Sequence, residues 1–116
     1  MSSERTARWL RFAWIAGIAA FLAVSVMPLS RSPLPGVEMG DKIAHFGVFF
    51  VLALFPVVTG AVRVRTVFFV LLLLAITSES LQALVPFRSF EGADLVADIL
   101  GLLSGFAIGA VLAGKK

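Results

Sequence analysis

The sequence predicts an all-α membrane protein, a bundle of four transmembrane helices, and three observations carry that prediction. Mean hydropathy is +1.01, with 59% hydrophobic and 15% charged residues in 116, so the chain has too little polar surface to coat a soluble globule. Four apolar stretches each approach the roughly 20 residues that cross a hydrocarbon core about 30 Å thick at about 1.5 Å per residue. Finally, nearly every acid, the only histidine and the only glutamine fall at those ends of the stretches that a four-span topology places on one membrane face.

The first span is expected at residues 9–27, where Pro28 stops it, since proline has no N–H for a helix interior. The second, at 41–59, runs through His45 and the apolar block 48–55, with Pro56 marking a kink. The third, at 66–84, holds the uninterrupted apolar run 67–76 and ends before Pro86. The fourth, at 93–113, carries Gly101, Gly105 and Gly109. Between them lie a Pro/Gly/Ser-rich loop (28–40), a tight basic turn (60–65) and a short polar turn (86–92). No repeat or low-complexity segment interrupts the pattern, so residues 1–116 read as one domain. A cleaved signal peptide is the competing reading of the N-terminus, with Ala23 and Ser25 as small-residue positions. The apolar run is long for a signal peptide, however, and three further spans follow it.

Lysine and arginine set the expected orientation, because short cytoplasmic segments are enriched in both. With the N-terminus inside, Arg5, Arg8, Arg11, Arg63, Arg65, Lys115 and Lys116 are cytoplasmic, against Arg31, Lys42 and Arg88 outside. Seven against three gives N-in, C-in. Of the acids only Glu4 then lies inside, while Glu38, Asp41, Glu79, Glu91, Asp94 and Asp98 lie outside. The net charge of +3 is dispersed along the flanks of apolar runs and makes no basic stripe. That excludes a nucleic-acid partner and points to anionic lipid headgroups. The absence of cysteine removes disulfides, thiolate metal sites and cysteine nucleophiles.

Chemistry is therefore expected at the outer ends of spans two, three and four, since ionisable groups are expensive in lipid and tend to serve a purpose there. Asp41 and His45 are four apart, on one helix face, with Phe49 next along the same stripe. Glu79 and Gln82 are three apart near the end of the third span, with Glu79 about 9 Å inside the expected helix end. Asp94 and Asp98 are again four apart at the start of the fourth, where the helix dipole favours carboxylates. Lys42 and Arg88 supply cations at the same level, as neutralising partners of Asp41, Glu91 or Asp94 or as holders of an anionic headgroup. Asp41 and Asp94 also fit helix N-caps. A bundle that converges these faces makes one outward pocket. Glu79 and His45 are its candidate acid–base residues, and Asp41, Lys42, His45, Glu79, Gln82, Arg88, Asp94 and Asp98 its candidate ligand-binding set. Gly101, Gly105 and Gly109 form a smooth strip for close helix approach, within a monomer or along a homodimer seam.

These residues also carry a family resemblance. Asp41-Lys42-Ile43-Ala44-His45-Phe46 resembles the "DK..HF" signature of VanZ-like membrane proteins, and Ser78-Glu79-Ser80-Leu81-Gln82 resembles their "SE.lQ" element. Arg88-Ser89-Phe90, followed by Asp94, Asp98 and Gly101, is similar to their "R.f...D...N..G" tail, with Asp98 where the family commonly has asparagine. The resemblance covers about residues 41–105. It implies a multi-pass protein of the bacterial cytoplasmic (inner) membrane, from a family named for resistance to the lipid-tailed glycopeptide teicoplanin.

Three functions fit the expected pocket. It binds a cell-envelope lipid or an amphiphilic glycopeptide-type ligand, the first choice. Alternatively, it is an enzyme acting on an envelope lipid through Glu79, His45 and the aspartates. No cofactor is required by the sequence, although a divalent metal held by carboxylates and imidazole belongs to this reading. The third function is a proton- or cation-coupled lipid translocator, for which the inner halves of the spans offer no acids.

Overall fold

A computed structural model describes residues 3–25, 37–84 and 92–114, with side chains for 4–25, 42–84 and 92–114. It consists of four α-helices, α1 (Ser3–Ser25), α2 (Val37–Thr59), α3 (Val64–Gln82) and α4 (Gly92–Gly114), and no strand occurs among the described residues. All four are long and apolar enough to cross a membrane. With 19 to 23 residues each, they reach about 28–35 Å.

Several ends differ from the sequence expectation. α1 begins six residues before residue 9, because Glu4, Arg5 and Arg8 extend the helix where hydropathy no longer marks it. α2 begins at Val37, so residues 37–40, expected in the loop, are helical, and Asp41 stands in the second turn instead of capping the helix. α3 runs two residues earlier at each end than expected. Consequently the basic turn is confined to residues 60–63, where Gly60 takes a φ of +73°, the left-handed conformation that favours glycine after a helix. α4 is one residue longer at each end than 93–113.

α2 and α3 touch each other and form the centre, while α1 and α4 each pack on both and lie on opposite flanks. The buried core joins Trp14 of α1, Phe49, Leu52 and Ala53 of α2, Val67, Leu71, Leu74 and Ala75 of α3, and Leu102 of α4. The flanks differ in how firmly they are held. α2 against α4 is the most extensive contact in the bundle, whereas only 6% of the α1 span is buried, against 28–33% for the others.

The α2–α4 contact follows from the glycine strip. A Cβ at Gly101 would overlap the Phe46 carbonyl, and one at Gly105 would overlap the Phe50 carbonyl and lie 2.8 Å from the Ala53 Cβ. At Gly109 the nearest atom would be Val57 Cγ1, at 3.0 Å. Backbones come this close only where one partner lacks a side chain. The strip is thus occupied by α2 of the same chain. On the other flank, the Trp14 indole Nε1–H donates to the Leu52 carbonyl at 2.8 Å. That carbonyl would normally accept from residue 56, which is proline. Arg11 Nη1 donates to the Ala61 carbonyl at 3.3 Å in the turn that follows α2.

Candidate acid–imidazole site

At one end of the bundle α1 and α3 finish while α2 and α4 begin, and this polar end collects the ionisable residues. His45 lies two turns into α2, Glu79 in the last turn of α3, and Asp98 in the second turn of α4. Each is placed inward by its neighbours along the helix. His45 shares a stripe with buried Phe49, Glu79 continues the buried line of Leu71, Leu74, Ala75 and Ser78, and Asp98 precedes Gly101 on the face turned to α2.

The three side chains meet. His45 Nδ1 lies 2.7 Å from Asp98 Oδ1, a hydrogen bond in which the imidazole donates to the carboxylate. The same Nδ1 lies 3.9 Å from Glu79 Oε2, an ion-pair separation beyond hydrogen-bond length. Glu79 and Asp98 are 0% exposed and His45 5%. One ligand atom from each residue falls within 4.8 Å of the other two. Phe21 of α1 covers the imidazole edge-on, with ring centroids 5.6 Å apart at 84°, and makes a similar contact with Phe49 at 5.2 Å.

A second pair stands one turn nearer the helix starts. Lys42 Nζ is 3.5 Å from Asp94 Oδ1, so of the partners expected for Lys42 the structure shows Asp94. Asp94 occupies the first turn of α4, where the helix dipole favours a carboxylate. Because Gly92 opens the helix, Asp94 is not its N-cap.

Beside His45 lies a cavity of about 160 Å³. α1 contributes Phe21, Val24 and Ser25 to its wall, α2 contributes Ala44, His45 and Val48, and α3 contributes Gln82. The Ser25 hydroxyl is turned back to the Phe21 carbonyl at 2.8 Å. His45 and Gln82 are therefore the polar side chains that give this cavity its chemistry.

Of the residues expected at the site, the structure brings together His45, Glu79 and Asp98, pairs Lys42 with Asp94, and sets buried Gln82 at the cavity. Arg88 and the Asp41 side chain lie outside the described residues. Glu79 is nearer its helix end than expected, three residues from Gln82 instead of about 9 Å inside, yet the other helices enclose it fully. Sequence reasoning missed Phe21 and the α1 wall, because an aromatic inside a long apolar run does not say which neighbour it meets. The signal was Phe21's position as the last aromatic of the first span, level with the polar pairs.

A four-helix, multi-pass membrane protein with an acid–imidazole cluster buried at one end is the class that this architecture defines. The family model VanZ/LLP1 matches residues 1–113, and the chain belongs to the VanZ-like family. Searches of curated proteins and of solved structures returned no match.

Proposed function

We propose that the polar end faces outward from the bacterial cytoplasmic membrane and binds an amphiphilic cell-envelope molecule, a lipid or a glycopeptide-type ligand. The cavity beside His45 carries this reading, since it combines walls of Phe21, Val24, Ala44 and Val48 with the polar groups of His45 and Gln82. At about 160 Å³ it is smaller than the roughly 300–1,000 Å³ of drug-sized pockets. It therefore holds one part of a ligand whose remainder stays in the bilayer. Lys42 is engaged by Asp94 and the neighbouring groups are acids, which favours an uncharged headgroup rich in hydroxyls or amides over an anionic one. Resistance to teicoplanin-type glycopeptides is the phenotype consistent with such a site.

Native mass spectrometry of the protein released from nanodiscs tests this reading. The wild type retains a co-purified amphiphile, Val48→Phe fills the cavity and lowers occupancy at least about tenfold, equivalent to about 1.4 kcal/mol, and His45→Ala loses both the amphiphile and any glycopeptide resistance while remaining inserted. Equal retention by all three proteins would refute it.

A second reading is favoured by the 2.7 Å contact between His45 Nδ1 and Asp98. A carboxylate that fixes an imidazole in this way orients it as a general base, toward a ligand in the cavity that His45 lines. Altered lipid recovered after incubation with envelope extract would support catalysis, and an unaltered bound ligand would support binding alone.

A further inference from the structure

We propose that His45, Glu79 and Asp98 form a binding site for one divalent first-row metal ion, Zn²⁺ or Mn²⁺, that completes the polar end. The inference deepens the reading of this end as a ligand site and rests on it.

Geometry supplies the first argument. Protein nitrogen and carboxylate oxygen bind Zn²⁺ at about 2.0–2.2 Å, which places tetrahedral ligand atoms about 3.4 Å apart. The distances from His45 Nδ1, 2.7 Å to Asp98 and 3.9 Å to Glu79, bracket that edge, and all three donors lie within 4.8 Å of one another. Side-chain adjustments of less than about 1 Å close the set. The two carboxylates flank the same ring nitrogen. A proton on Nδ1 forms a hydrogen bond with Asp98 at 2.7 Å but not with Glu79 at 3.9 Å, whereas an ion at their common centre reaches all three.

Donor chemistry supplies the second argument and narrows the ion. One imidazole and two carboxylates suit Zn²⁺ or Mn²⁺, while the lack of cysteine disfavours soft ions such as Cu⁺. The donors come from three helices, and the close α2–α4 approach at Gly101 holds His45 and Asp98 together. His45 also lines the cavity, so the ion would hold in place the imidazole that a ligand there meets.

The test uses full-length protein purified through a tag without histidine, stripped with a chelator and placed in nanodiscs. Titration with Zn²⁺ alone is expected to give one ion per chain, bound through Nδ1 with the imidazole proton held on Nε2. His45→Gln, Glu79→Gln and Asp98→Asn should each weaken binding at least about tenfold, with circular dichroism and elution volume unchanged. Because a substitution at a buried site can also unfold the bundle, Mn²⁺ bound to the wild type provides an independent readout. Its pulsed electron paramagnetic resonance spectrum should show coupling to one imidazole nitrogen. Failure of the wild type to bind either ion stoichiometrically, binding that survives all three substitutions, or Mn²⁺ without nitrogen coupling would each overturn the site. Native mass spectrometry of the same stripped sample separates the two readings, since retained amphiphile with no metal affinity refutes the ion and leaves the binding module standing.

Discussion

Leu52 has a carbonyl that its own helix cannot satisfy, because residue 56 is proline, and the indole of Trp14 supplies the missing donor at 2.8 Å. In a bilayer no water replaces such a bond, so the pair fixes α1 against α2. Trp14→Phe keeps the ring and removes the donor, and should cost about 0.5–1.5 kcal/mol. In a Pro56→Ala background, where residue 56 donates to Leu52 itself, the same substitution should cost almost nothing. A double-mutant cycle of unfolding in mild detergent measures the difference, and equal costs in both backgrounds would sever the link between Trp14 and Pro56. Neither half of this pair was legible in the sequence as a pair. Pro56 reads as a kink and Trp14 as one residue of the first span, and nothing along the chain says that a side chain 38 residues from Leu52 will meet its carbonyl.

Among the helices, α4 shows how a pattern fixes a distance. Gly101 and Gly105 admit the α2 backbone, and an added methyl at either would overlap a carbonyl oxygen, which cannot rotate away as a side chain does. Gly101→Ala and Gly105→Ala should therefore each cost about 1–3 kcal/mol. Gly47→Ala, within α2 and with nothing within 4 Å of the new methyl, should be neutral or stabilise by up to about 1 kcal/mol through helix propensity. Thermal unfolding of the three variants in one detergent checks the ranking, and an equal loss at Gly47 would show that close approach of α2 and α4 does not set these values. Gly101 faces Phe46, the neighbour of His45, so its variant should also disturb the acid–imidazole cluster. The helices themselves were legible because lipid demands long apolar runs. Their ends were not, because Glu4 to Arg8 and residues 37–40 continue a helix with residues that hydropathy cannot distinguish from a loop.

For the whole molecule the asymmetry of charge sets the expected orientation, and the lack of cysteine makes it directly measurable. Ala93 and Thr66 are exposed at opposite ends of the bundle. In intact cells Ala93→Cys should react with a membrane-impermeant maleimide and Thr66→Cys only after lysis, as positive-inside insertion requires. The reverse pattern would place the acid–imidazole cluster inside. The convergence of His45, Glu79 and Asp98 was partly legible, since helical period put each on a defined face and topology put all three at one level. Which faces turn inward depended on the α2–α4 packing, which the glycine spacing suggests without naming its partner. That spacing has a further consequence. A strip of glycines repeating every fourth residue nearly superimposes on itself when α4 slides one turn, about 6 Å, so smooth packing alone leaves two alignments close in energy. The slide would bring Asp94 to His45, away from Lys42, or would bring Leu102 to His45 in the other direction. The carboxylates thus act as the key of a sliding bolt, selecting the single alignment in which the bundle locks.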